Sequence, residues 1–397
     1  MNTASGSPGG SYQLRAWLEK DYARAEADYR RGLALSPNSA AGYERFARLL
    51  FFFPDANGQL DARRRAEAFA LIDRARELDP LAPSAHLTKA LMQLYGRSDI
   101  KAANALMLEA LEQDPNYYPA LMRLAELRWC CQGEFAEAIR YGERALALEP
   151  GASWPQRILL EFYLDVGELD AARQVLKESK ERDPVGQIPL YLYEREWQKA
   201  GEVALSRMGS MTAFDRNMAV WAVSQYAHAT RERARPRGYL EDVANIAWNA
   251  EGEPTINDST HDMVASVELA AILRATGDRT RAERLLRFVL SEQDRVSRDL
   301  ERGEMWWGNT RPQALALLGE TDAALAALQK SFDTGFYAGW WYRLVREHAY
   351  DELRGDPRFV ALLDRMRAHA AEQHNQLDAM RAAGVVPKRV AISSPVR

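Results

Sequence analysis

Five prolines punctuate the first half of the chain at a nearly constant interval. Pro37, Pro80, Pro115, Pro150 and Pro184 are 43, 35, 35 and 34 residues apart. Twelve residues before each stands an alanine: Ala25, Ala68, Ala103, Ala138 and Ala172. Eight before stand Tyr29, Ile72, Met107, Gly142 and Leu176, and five before stand Gly32, Ala75, Ala110, Ala145 and Ser179. Offsets of four and three place these positions on one face of an α-helix. The small residues let a neighbouring helix come close, the large one fills the space between, and the proline stops the helix. A repeated helix of this kind buries its face only against further copies, so the pattern restricts the chain to a stacked array.

A second helix precedes each of these. Gly133 and Gly167 lie five residues before their alanines, and Ser98 takes the same place. A small residue there suits the tight turn between antiparallel helices. Leu159, Leu160 and Tyr163, and likewise Leu87, Ala90, Leu91 and Leu94, form the apolar stripes of the first helices. The segment from Gly133 to Tyr141, ending in Ala145-Leu146-Ala147-Leu148-Glu149-Pro150, resembles the tetratricopeptide repeat (TPR), a helix–turn–helix unit of about 34 residues. Gly142 departs from that family, which has a large residue there. The second repeat carries about nine extra residues around Phe51 to Gln59. One extra residue in the repeat ending at Pro150 leaves the facing of Trp129 open.

From about Val203 the repeat fades. Residues 213–249 read as helices, with Phe214, Met218, Trp221 and Tyr226 at helical spacing. Thr212 with Asp215 and Ser259 with Asp262 read as capping boxes, and Glu251 to Asp258 as a polar loop. The spacing returns at Leu269, Ala270, Leu273, Gly277, Ala282, Leu286 and Val289, and again at Gly319, Ala324, Leu328 and Ser331. Nothing alternates with period two for long, so no sheet is expected. The expected fold is an all-α, TPR-type solenoid of stacked antiparallel helix pairs with an irregular middle and C-terminal capping helices. The expected organisation is a flexible segment 1–11, a TPR array 12–202, an irregular region 203–262, a degenerate array with its cap 263–366, and a polar helix with a basic tail 367–397.

The block Ala314 to Glu320, then Trp341, Tyr350 to Phe359 and Ala361 to Met366, is similar to the terminal repeat of bacterial TPR signalling proteins. Such proteins join the array to a winged-helix domain, a class III adenylate cyclase or a kinase. No such output module is visible here. This resemblance implies a non-catalytic interaction or sensory module in bacterial signalling.

Composition narrows the rest. Lys+Arg number 52 against 56 Asp+Glu, a formal net charge of −4, which argues against a dedicated nucleic-acid binder. No apolar run reaches membrane-spanning length, and Met1 to Gly10 is small and polar, unlike a signal peptide. Cys130 and Cys131 are adjacent, neither a disulfide framework nor a zinc pattern, and are expected as packed thiols. Together these features favour the cytoplasm, or the periplasm if a membrane anchor is missing from the chain. His369 and His374 are five apart, wrong for two ligands on one helical face, and are expected at the surface. No phosphate-cradling glycine loop, nucleophile elbow or metalloprotease helix is present. The reading is therefore not an enzyme, with no cofactor and no metal; an unrecognised site in the C-terminal half is the weakest alternative.

The TPR resemblance implies a concave groove lined by first helices. Its positions here are Thr88, Met92 and Tyr95, then Arg157, Glu161 and Asp165, then Tyr191, Arg195 and Lys199. Tyr95, Arg157, Glu161, Tyr191 and Arg195 are the candidates for holding a protein or peptide partner. A plain ion pair between Arg157 and Glu161, four residues apart, is the competing reading. A small-molecule ligand is the second possibility, in an aromatic pocket around Trp306, Trp307 and Trp341; core packing competes with it. Phe51-Phe52-Phe53 reads either as a docking loop or as helix-end packing. Arg231, Arg233, Arg235 and Arg237 read either as an anion site or as a solvated helix end.

Overall fold

The computed structural model describes residues 22–53, 62–178, 184–207, 213–256, 262–299 and 310–389. These fall into two compact units, one up to Leu124 and the other from Ala125 onward.

The first unit holds α1 (Tyr22–Leu35), α2 (Ala40–Phe52), α3 (Ala62–Leu78), α4 (Pro83–Arg97) and α5 (Ile100–Gln113). The small–large–small faces behave as the repeat requires. Ala68, Ile72 and Ala75 of α3 and Ala103, Met107 and Ala110 of α5 are fully inaccessible. At the turn between α4 and α5, Ser98 takes φ of 53°, and the Asp99 side chain caps α5 by accepting from the Ala102 N–H. The three phenylalanines pack at a helix end. Phe51 meets Phe69 edge-on, Phe52 meets Tyr95, and Phe53 lies against Tyr22.

Next come α6 (Tyr118–Gln132), α7 (Phe135–Leu148), α8 (Ser153–Asp165), α9 (Leu169–Glu178), a 3₁₀ turn at Pro184–Gln187, α10 (Ile188–Tyr193) and α11 (Trp197–Ser206). The chain continues through α12 (Ala213–Thr230), α13 (Ala234–Ala244), α14 (Met263–Ala275), α15 (Arg279–Asp299), α16 (Thr310–Leu317) and α17 (Thr321–Asp333). It closes with α18 (Trp340–Arg343), a 3₁₀ turn at His348–Leu353, and α19 (Pro357–Ala382). The fold is all-α, built of stacked antiparallel helix pairs. Gly142 is explained by its neighbours: a Cβ there would lie 2.8 Å from the Leu159 side chain and 3.6 Å from Phe162. Side chains of α8 fill the volume that a large residue of α7 would otherwise occupy.

Several expectations are corrected. A short antiparallel hairpin interrupts the helices, pairing β1 (Ile246–Trp248) with β2 (Pro254–Ile256) in the register Ala247↔Thr255. Three-residue strands are too short to show period two. Their turn is set by the Asn249 side chain, which accepts from the N–H groups of Glu251 and Glu253. Asp262 is itself the N-cap of α14, accepting from Ala265 N–H, so it is not the acidic partner of a capping box that starts at Ser259. Ser259, Thr212 and His261 lie outside the described residues. Helix α19 is continuous, so the boundary expected at 366/367 falls inside it. It also does more than end the stack. His369 bonds the Gly133 carbonyl at 2.7 Å and stacks on Tyr337, and Gln373 accepts from Ala136 N–H. His374 lies 3.2 Å from the Val166 carbonyl. These side chains, of which the two histidines were expected at the surface, dock α19 onto α7 and the end of α8. The tail is tied down as far as Arg389, whose guanidinium grips Glu143 at 2.6 and 2.9 Å and Glu178 at 2.6 Å. Cys130 and Cys131, expected as thiols, are bonded to each other.

Candidate functional site: an aromatic and cationic recess

Helix α8 carries the first surprise. Every residue from Ile158 to Asp165 is buried, including the charged Glu161 and Asp165. Their cover is the segment around α18. The Asp165 carboxylate accepts from Trp129 Nε1 at 2.5 Å and from Gly339 N–H at 3.0 Å, while its carbonyl accepts from Trp340 Nε1 at 3.0 Å. Trp129, whose facing the sequence left open, therefore points inward. Gly339 can make this contact because it holds φ of 64° and lies against the Tyr342 ring.

Burial raises both carboxyls. Glu161 reaches about 8 through desolvation first and the Asp165 charge second, against the opposing pull of Arg343 and Arg157. Asp165 reaches about 7, again through desolvation, opposed by its hydrogen bonds and Arg343. Arg343 itself lies over the rings of Trp221 and Phe336.

Beside this covered face opens a cavity of about 520 Å³, lined by Tyr193, Trp340, Trp341, Arg346, Arg367 and His374 among others. Its central feature is Arg346. The guanidinium sits 5.3 to 5.6 Å from the ring centres of Trp341, Tyr193 and Trp197. One Nη donates to the Leu192 carbonyl, and the buried Nε has no partner. Among the described residues no carboxylate pairs with it. Desolvation, with the nearby Arg195 charge second, lowers it to about 10. A half-buried guanidinium held by aromatic faces and a carbonyl still presents charged donors with no anion to receive them. Arg367 differs, being paired with Asp364 at 2.9 Å.

The sequence candidates divide around this site. Trp341 lines the cavity, packed edge-on to Tyr193 at 4.9 Å. Arg195 is exposed in the turn after α10, with φ of 62°, where its charge reaches Arg346. Tyr191 is half-buried on α10, its hydroxyl donating to Gln187 at 2.6 Å. Arg157 is half-buried on α8 within the field of Glu161. Glu161, expected at a groove surface, is 5% exposed. Tyr95 belongs to the first unit, packed with its core, and its neighbours Thr88 and Met92 are buried there. Trp306 and Trp307 lie outside the described residues. Sequence reasoning missed Arg346 and Tyr193 altogether. The signal available was their company, an arginine five residues after one tryptophan doublet and a tyrosine between two groove candidates.

A possible metal cluster is accounted for otherwise. Glu168, His374 and Asp378 offer atoms within 4.8 Å of one another. Arg381 already fills that space, bonding Glu168 at 2.8 Å and Asp378 at 3.2 Å. Among the described helices none is long and apolar enough to cross a membrane.

Residues 132–190 match the family model of the tetratricopeptide repeat. That stretch runs from the end of α6 through α9 to the start of α10, so it reaches the edge of the recess. No curated protein matches the sequence. Among solved structures, yeast Tom70 is similar at 14% identity, over 93% of this chain and 63% of that one, with a TM-score of 0.37. This chain thus spans less than two thirds of Tom70. A human IFIT1 dimer with m7Gppp-AAAA is similar at 14% identity, over 98% of this chain and 83% of that one, with a TM-score of 0.39.

Proposed function

We infer that this chain is a binding module rather than an enzyme, and that its second unit takes an acidic segment of a protein partner. The observation that carries the reading is Arg346, a desolvated guanidinium in an aromatic cradle, open to a cavity and lacking a carboxylate among the described residues. A partner carboxylate supplies the missing acceptor, and Tyr193, Trp340 and Trp341 give apolar faces to the flanking residues. Arg195, exposed and near Arg346, offers a second contact to an extended ligand. A nucleic acid is less suited, since the recess presents separate cations beside the buried Asp165 rather than a basic stripe. This reading places the partner next to, not along, the α8 face, because α18 already covers Glu161 and Asp165. A role in bacterial signalling is consistent with such a module and rests on the resemblance of the C-terminal block alone.

The test is fluorescence anisotropy with labelled peptides bearing paired Glu or Asp, the same peptides with Gln and Asn, and a single-stranded RNA of equal length. Acidic peptides should bind, with Arg346→Gln weakening them by about tenfold or more and Arg195→Glu by less. Equal binding of the neutral peptides, or of RNA in their place, overturns the reading. The cavity volume also lies within the small-molecule range, so a metabolite that raises the melting temperature of the wild type but not of Trp341→Ala would favour the second reading.

A further inference from the structure

A second constellation lies apart from the recess, where α14 meets the segment before the second 3₁₀ turn. Glu268 and Glu347 face one another there, 1% and 3% exposed. Among the described residues neither forms an ion pair with an arginine or lysine. The Ala349 N–H donates to Glu347 at 3.3 Å, and the His348 N–H also acts on it. Neither carboxylate oxygen of Glu268 has a well-formed hydrogen bond, although the Ser224 hydroxyl and the Glu347 carboxyl lie close enough to act on it. Two buried hydroxyls also lack a well-formed hydrogen bond: Ser224 Oγ, close enough to Glu268 to act on it, and the phenol of Tyr350, within the field of both carboxylates. Both residues are essentially inaccessible.

Buried carboxylates persist when they are paired, hydrogen-bonded or bound to a metal. Burial and mutual repulsion push Glu268 well above the ordinary carboxylate range, and burial raises Glu347. One shared proton would relieve half of the charge and leave the other carboxylate ionised in a buried site with no cation beside it. A dication would neutralise both carboxylates and give each oxygen a partner. We propose that Glu268 and Glu347, with the hydroxyl oxygens of Ser224 and Tyr350, form a binding site for one hard divalent cation of the Ca²⁺ or Mg²⁺ type. An all-oxygen donor set with two carboxylates is the chemistry those ions select.

A cavity of about 260 Å³ is lined by Ala271, one turn after Glu268, and by His348 and Ala349, which directly follow Glu347. Its rim carries Asp351 and Glu352 against Arg274 and Arg279. His228 stacks on His348 at 4.0 Å, and burial together with that ring lowers it to about 4, so it adds no positive charge at neutral pH. This site departs from the sequence expectation of no metal, and it is independent of the peptide-binding reading.

The full chain, stripped with chelator, is titrated with Mn²⁺ followed by electron paramagnetic resonance, then with Ca²⁺ and Mg²⁺ by calorimetry. The wild type should bind one ion per chain and melt at higher temperature when loaded. Glu268→Gln and Glu347→Gln should each weaken binding about tenfold or more. Should those variants fail to fold, Ser224→Ala and Tyr350→Phe are read instead, and unchanged affinity in both overturns the proposal. Absence of binding at millimolar ion overturns it, as does undiminished binding in the double Gln variant. So does a double variant more stable than the ion-saturated wild type, the outcome a shared proton would give.

Discussion

Glu161→Gln should stabilise the protein in alkali, and the size of the effect follows from the cover over α8. Glu161 titrates near 8 in the fold against an ordinary 4.5. Below pH 4.5 folded and unfolded chains both hold the proton, and the group is neutral to stability. Between 4.5 and 8 the unfolded chain releases it while the fold retains it, so stability falls as pH rises. Above 8 the loss is complete, and a shift of that size corresponds to about 5 kcal/mol. The amide of Gln cannot ionise, and Asp165 Oδ1, four residues on and without a donor, can accept from it. Burying an amide and losing the pull of Arg343 and Arg157 reduce the gain, leaving about 3 kcal/mol at pH 9 relative to pH 5. Urea unfolding at fixed ionic strength from pH 5 to 9 reads this as a midpoint difference that grows to about 1 M. Asp165 gives the wild type further pH dependence of the same sign, and the difference between the two proteins isolates Glu161. A difference that stays flat across this range refutes the reasoning. So does a variant less stable than wild type at pH 9, since Glu161 would then be ionised and held by its arginines.

Gly201→Ala should cost about 1–3 kcal/mol despite the better helix propensity of alanine, because the new Cβ would land on Tyr226 Cβ and 2.5 Å from its Cγ, atoms too near the backbone to swing aside. Gly238→Ala, with nothing within 4 Å, is the control and should be neutral or stabilising by urea midpoint. Arg389→Ala should cost about 3–5 kcal/mol, since it strands the buried Glu143 with the Tyr163 hydroxyl alone; thermal melts should show the loss, partly recovered on adding Glu143→Gln. Trp129→Phe removes one of the two donors to Asp165 Oδ2, so it should raise Asp165 above about 7 and cost about 1–3 kcal/mol, more at pH 8 than at pH 5.

The helix pairs were legible because their signal is local. Ala68, Ile72 and Ala75 carry their burial in their spacing, and Gly133 and Gly167 carry their left-handed turns in being glycine. The candidate site was half legible for a related reason. Periodicity says that a face is covered, not by what. Glu161 and Asp165 stand where a groove lining belongs, yet residues more than 170 positions later, Gly339 and Trp340, close over Asp165. Two expectations that looked like rivals, a groove near Arg195 and an aromatic pocket near Trp341, meet at Arg346. Its isolation from carboxylates among the described residues is a three-dimensional fact with no sequence signature. The hairpin at Ile246–Trp248 escaped notice because three residues give no period, and the docking of α19 because His369 and Gln373 look like surface residues on a polar helix.

The central claim is that Arg346 awaits a carboxylate from a partner. A double-mutant cycle tests it most directly, pairing wild type and Arg346→Gln with an acidic peptide and its Glu→Gln counterpart in calorimetric titrations. A coupling free energy above about 1.4 kcal/mol, a tenfold interaction, is the result the recess predicts. A coupling near zero, with the peptide bound equally well by both proteins, would contradict it.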